Sequence, residues 1–124
     1  MKEIITTKNA PAAVGAYSQA VKSGNLLFCS GQIALDPASG VLTGSDIKAQ
    51  TEQVMLNISA VLATSKATFD HVVKTTCFLA DINDFAKFNE VYAKYFTGKP
   101  ARSCVAVSAL PKGALLEVEV IAVV

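Results

Sequence analysis

Residues Leu115 to Val123, LLEVEVIAV, constrain the fold more than any other part of this chain. Successive residues of a strand point to opposite faces, so Leu116, Val118, Val120 and Ala122 form one wholly apolar side. Leu115, Glu117, Glu119, Ile121 and Val123 form the other. A strand so divided must cover its apolar side with a second layer. The preceding run, Ala101 to Ala109, can be read in the same way. Ser103, Val105, Val107 and Ala109 share one side, and Arg102, Cys104, Ala106 and Ser108 share the other.

The two runs are joined by LPKGA, which predicts a hairpin. If its apolar sides coincide, Arg102, Cys104, Glu117 and Glu119 come onto one sheet face away from any helix. Ionic groups beside Ile121 and Val123 suit neither a solvent face nor a core, and point to a pocket wall or a subunit interface. A structural ion pair at an oligomer contact is the competing reading of the same residues.

The rest of the chain supplies that second layer. Asp46 to about Ser65 reads as a helix with Ile47, Val54, Ile58, Val61 and Leu62 on one face and Ser45 or Asp46 as its cap. Asn83 can cap a second helix running to about Phe96, with Phe85, Phe88, Tyr92, Tyr95 and Phe96 near one stripe, ended by Gly98 and Pro100. Between them VVKTTCFLA, Val72 to Ala80, reads as a central strand. Towards the N-terminus, Lys2 to Thr7 and Tyr17 to Val21 read as short strands flanking the loop NAPAAVGA. LLFCSGQIAL then follows, an apolar run that Gly31 breaks with a bulge or a close backbone approach. DPASG is a turn. The order predicts an α+β fold over residues 1–124, a single domain with two helices on one face of a mixed sheet.

Composition bears on partners. Apolar residues make up 52% of the chain and charged residues 17%, too few charges to cover a domain of this size, so self-association is expected. The formal net charge is +1, and the cations are scattered with no basic run, so phosphate-backbone binding is poorly supported. No apolar stretch approaches the length of a membrane span, and the expectation is a cytoplasmic chain without a membrane partner. Cys29, Cys77 and Cys104 are odd in number and lack CxxC spacing, which argues for reduced thiols rather than a disulfide framework or zinc site. With His71 as the single histidine and no phosphate-binding glycine loop, the sequence calls for no metal and no nucleotide cofactor.

The words NAPAAVGAYSQAV, FCSGQIALDPASG, VVKTTCFLADINDFAKFNEVY and PARSCVAVSALPKGALLEVEVIAV closely resemble the RidA, or YjgF, family of reactive-intermediate deaminases over essentially the whole chain. The resemblance implies a chorismate-mutase-like, six-stranded mixed sheet with two helices on one side, assembled as a homotrimer with sites between subunits and no cofactor. It implies hydrolysis of enamines and imines, such as 2-aminoacrylate and 2-iminopropanoate, to 2-oxo acids and ammonia. Position by position, Arg102 is implied to grip the substrate carboxylate, and Glu117 to orient or deprotonate the attacking water and to shuttle a proton to the leaving amine. Tyr17 closes the pocket from the neighbouring subunit, and Ser30, Gly31, Asn89 and Cys104 are other pocket positions. Cys104 is expected to supply wall and backbone contacts rather than a nucleophile. Departures from the family pattern at Ala16, Ala20, Ala106 and Ala109 and in the short FTGKP connection bear on loop shape and substrate range. Two other readings stand beside it: a ligand-binding or regulatory trimer without turnover, and the endoribonuclease or translation-inhibitor activity attributed to some relatives.

Overall fold

The computed structural model describes residues 1–124 and contains one six-stranded sheet in the order β1-β2-β3-β6-β4-β5. The strands are β1 Lys2–Ile5, β2 Ala20–Ser23, β3 Leu26–Gln32, β4 Val72–Leu79, β5 Ala101–Ala106 and β6 Leu116–Val123. Two helices, α1 Ile47–Ala63 and α2 Phe85–Tyr95, pack on one face. All neighbouring strands are antiparallel except β4 and β5. The α+β fold with two helices on one side of a mixed sheet is therefore as the sequence predicts. No helix is long and apolar enough to cross a membrane.

The strand that constrained the fold occupies the centre. Leu116, Val118, Val120 and Ala122 of β6 are buried against Val54, Met55, Ile58, Val61 and Leu62 of α1, with Phe88 and Tyr92 of α2 in the same cluster. Asp46 caps α1 through its carboxylate, which accepts from the Ala49 amide at 2.8 Å. Buried amides tie the loops to this layer. Asn57 donates to the carbonyls of Ile33 and Leu35, and Gln50 accepts from the Leu115 amide while donating to the Gly44 carbonyl.

Three expectations are corrected. The first concerns the hairpin: β5 and β6 do not pair, because β4 lies between them. β4, α2 and β5 form a strand–helix–strand unit, and a helix between two strands brings the second back parallel to the first. β6, apolar along its whole inner side, takes the slot with neighbours on both edges. β5, exposed at nearly every position, takes the rim. The LPKGA segment is instead one 3₁₀ turn, Pro111–Gly113, with Lys112 in the left-handed region at φ 57°.

The second concerns the second helix. Asp81 rather than Asn83 provides the cap, accepting from the Asn83 amide at 2.9 Å to start a 3₁₀ turn, Ile82–Asp84, ahead of α2. The third is at the N-terminal side. Tyr17 to Gln19 lie outside the strand, which begins at Ala20, because the Ser18 carbonyl is taken by the Ser30 hydroxyl and the Gln19 side chain serves the preceding loop.

The sheet face away from the helices is bare and largely apolar. Ile4, Phe28, Val73, Val105 and Val123 are all exposed, and Ile4, Val21, Phe28 and Ile121 are aligned across β1, β2, β3 and β6. That pattern is a surface without its second layer.

Candidate active site

Strand parity decides where the site residues go. Arg102 is paired with Thr75 and Cys104 with Cys77, and Thr75 and Cys77 are fully buried on the helix side. Arg102 and Cys104 therefore face the helices, and Ser103 and Val105 face the bare side. Glu117 is paired with Phe78 and Glu119 with Thr76, also on the bare side. The expectation that Arg102, Cys104, Glu117 and Glu119 share one face of the protomer is overturned, as is the placing of Ser103, Val105 and Val107 against the core. The error follows from the assumed hairpin: inserting β4 makes the relative parity of β5 and β6 a matter of two registers rather than one.

Arg102 lies on the β5 rim against α2. Its guanidinium donates from one terminal nitrogen to Asn89 Oδ1 at 2.7 Å and lies over two rings, 4.7 Å from the centre of Tyr92 and 5.3 Å from that of Phe85. Phe85, Asn89 and Tyr92 are spaced i, i+4, i+7, so a single helical stripe supplies both the hydrogen bond and the stacking platform. Tyr92 is anchored beneath by a 2.8 Å hydrogen bond between its hydroxyl and that of Thr75. A cavity of about 470 Å³ opens here, lined by Asn89, Tyr92, Phe96, Lys99, Pro100 and Arg102. An aromatic stripe of this kind is in most proteins core, and here it also serves the site. Its signal was the asparagine set between two aromatics of the same stripe.

Cys104 is half-buried in this half of the site. Burial pushes its thiol up, and the Arg102 charge offsets this only in part. A thiol in that state is a poor nucleophile at neutral pH. Opposite it, the buried Cys77 thiol is pushed up to about 12.

Glu117 belongs to a second group of residues. It is half-buried, and burial first, then the neighbouring Glu119 charge, hold its carboxyl above the usual carboxylate range. It lies over Gly31, where β3 and β6 slip register between Cys29 and Gln32, as the break at Gly31 predicts. A Cβ on residue 31 would overlap the Glu117 carboxylate and stand 2.7 Å from its carboxyl carbon. Tyr17, Gly31, Gln32, Ile33, Lys112 and Glu117 line a cavity of about 330 Å³. Ser30 is adjacent, but its hydroxyl donates to the Ser18 carbonyl at 2.6 Å and so is engaged with the loop that carries Tyr17.

The candidate residues thus fall into two groups, Arg102, Asn89 and Cys104 at the β5 rim, and Tyr17, Ser30, Gly31 and Glu117 at the β3–β6 bulge. Arg102 and Glu117 are separated by two strand spacings, roughly 10 Å, and by three residues along β4, roughly another 10 Å, and they point to opposite faces. No group of three histidine, cysteine, aspartate or glutamate side chains is placed to hold a metal.

Residues 7–124 match the family model described as Endoribonuclease L-PSP. The chain belongs to this family, the one that contains the RidA/YjgF proteins. It is 54% identical over 123 residues to a RutC family protein of Pyrococcus horikoshii, with 98% of each chain covered. It is 47% identical to the rat 2-iminobutanoate/2-iminopropanoate deaminase, covering 99% of this chain and 90% of the rat protein. Names within the family vary, and a Lactococcus lactis relative, 53% identical over 97% of this chain and 96% of its own, is a putative regulator. Among solved structures, a Rid-family protein of Yersinia pestis superposes with a TM-score of 0.97 at 53% identity, with 100% of both chains covered.

Proposed function

We propose that this Rid-family chain hydrolyses enamine and imine intermediates of 2-amino acids to 2-oxo acids and ammonia, at sites formed between the subunits of a homotrimer. The observation that carries this is the division of the site residues into two groups that one protomer cannot bring together, beside a bare apolar sheet face. Packing that face against neighbours would supply the missing layer and bring the Arg102 group of one subunit to the partner subunit's Glu117 and Tyr17. The rat deaminase's similarity over nearly the whole chain supports the reaction class.

The chemistry follows from the groups. The Arg102 guanidinium, fixed in its plane by Asn89 and Tyr92, offers its remaining N–H groups as a fork to the substrate carboxylate. This aims the imine carbon at the facing carboxylate. Glu117, whose affinity for a proton is raised, takes one from a water as the oxygen bonds to the imine carbon and the C=N electron pair moves to nitrogen. The carbinolamine formed from the protonated imine takes that proton back from Glu117 on its nitrogen. As the C–N bond breaks, ammonia leaves, the hydroxyl proton passes to Glu117 and the carbonyl forms. An imine is already electrophilic, so no covalent intermediate is needed, and Cys104 contributes wall and main-chain contacts.

A coupled assay tests this: a pyridoxal-phosphate dehydratase generates the imine and 2-oxo acid release is followed. Acceleration over spontaneous hydrolysis, lost in Arg102→Ala, is the expected result, and full activity in that variant would refute the reading. The Lactococcus relative's name, a putative regulator, favours a second, regulatory reading; in this chain that would be a trimer that binds small carboxylates at Arg102 without turnover. Binding of a 2-oxo acid at Arg102 with hydrolysis at the uncatalysed rate would select it. The scattered cations and net charge of +1 give no support to RNA cleavage.

A further inference from the structure

The segment between β1 and β2 carries Tyr17 and forms one wall of the Glu117 cavity, yet it contains no strand or helix of its own. Its placement depends on one side chain. Gln19 is 4% exposed, and its carboxamide is fully engaged with the segment. Its oxygen accepts from the Thr7 amide at 2.7 Å, and its nitrogen donates to the carbonyls of Thr7, Pro11 and Ala10 at 3.0, 2.7 and 3.3 Å. Pro11, Val14 and Tyr17 face Gly31 and Glu117 across the cavity, and the Tyr17 hydroxyl accepts from the Val14 amide at 3.4 Å. The other end of the segment is held by Ser30, through its hydroxyl to Ser18 and its amide to the Gln19 carbonyl.

We propose that Gln19 is a positioning residue for the deaminase reaction: its carboxamide folds the Thr7–Pro11 turn into the place from which Tyr17 closes the cavity over Glu117. This rests on the deaminase reading above and extends it to a residue that borders the cavity but acts through Tyr17. A buried amide that satisfies both polar groups of one residue and two further carbonyls fixes backbone to a fraction of an ångström. Misplacement on that scale costs reaction rate far more than it costs fold.

The test is a double-mutant cycle in kcat/KM between Gln19→Leu and Tyr17→Phe, with trimer content and Tm followed alongside. Gln19→Leu is expected to lower kcat/KM by about 10-fold or more in the wild-type background, and by less than about twofold once Tyr17 is already changed. Wild-type kinetics in Gln19→Leu, or losses that simply multiply, would overturn the proposal. If Gln19→Leu is not recovered folded, Gln19→Glu, which keeps the acceptor for the Thr7 amide but loses the donor to Pro11, takes its place in the cycle. Should the unmodified protein bind pyruvate without turning over imine, the deaminase reading fails by itself. The cycle is then read in the Kd for pyruvate with the same two criteria, and absence of both turnover and binding overturns both proposals.

Discussion

At the residue scale, the site turns on small differences in what a side chain lies against. Glu117 lies between a glycine with no Cβ and another carboxylate, and both burial and Glu119 favour its protonated form. It therefore holds a proton more tightly folded than unfolded, and stability falls as pH rises through its elevated folded range. Glu117→Gln is accordingly expected to lower kcat/KM by about 100-fold or more. Its Tm should equal or exceed that of the wild type at pH 7, with the difference closing as pH drops below the ordinary carboxylate range; calorimetry across pH measures this. Gly31→Ala makes a complementary case. The obstacle is the end of a flexible side chain, so the carboxylate swings away rather than the strands parting. A loss of kcat/KM on the order of 10- to 100-fold with little change in Tm is expected. The roles of Arg102 and Glu117 were suggested by motif resemblance alone. Gln19, by contrast, has no legible signal of its role, since a glutamine in a short expected strand looks like any surface amide until its four bonds are seen.

At the scale of elements, α2 serves two ends at once. Its Phe88 and Tyr92 fill the core, while Phe85, Asn89 and Tyr92 hold the Arg102 guanidinium at the rim of the sheet. Tyr92→Phe keeps the ring under Arg102 but leaves the fully buried Thr75 hydroxyl with only the Cys77 thiol, 3.9 Å away. A loss of about 1–3 kcal/mol in denaturant unfolding, with the Arg102 contact retained, is expected. Both helices were legible from their periodicity, and α1 to within two residues at either end, because Ile47, Val54, Ile58, Val61 and Leu62 repeat at helical spacing behind a capping aspartate. The start of α2 was less so: Asp81 and Asn83 are both good caps, and only the end of β4 at Leu79 decides that Asp81 comes first.

For the whole molecule, the informative feature is the uncovered face. Phe28 lies in its middle, aligned with Val21 and Ile121. Phe28→Asp is expected to shift the protein to monomer in sedimentation velocity and to abolish turnover while far-UV circular dichroism is kept. Subunit mixing tests the proposed shared site directly. On the proposed trimer, Arg102→Ala and Glu117→Ala are each expected to be inactive alone, and in a random 1:1 mixture each site would have about a one-in-four chance of an intact pair, since cyclic symmetry would give it one half from each of two neighbours. About a quarter of wild-type activity should return after joint refolding. A site built within one chain would return none.

The sequence by itself determined the period of the last two strands and of both helices, and so which residues within a strand share a side: Arg102 with Cys104, Glu117 with Glu119, and the apolar row of β6. It also carried the family, through words long enough to be specific. Which strands are neighbours was decided only by the tertiary structure, and with it which side of one strand matches which side of another. Period is a local property of the backbone, whereas strand order depends on long-range competition for the central slot. Here β4 and α2 put β5 at the rim, and one inserted strand moved Arg102 to the opposite face from Glu117.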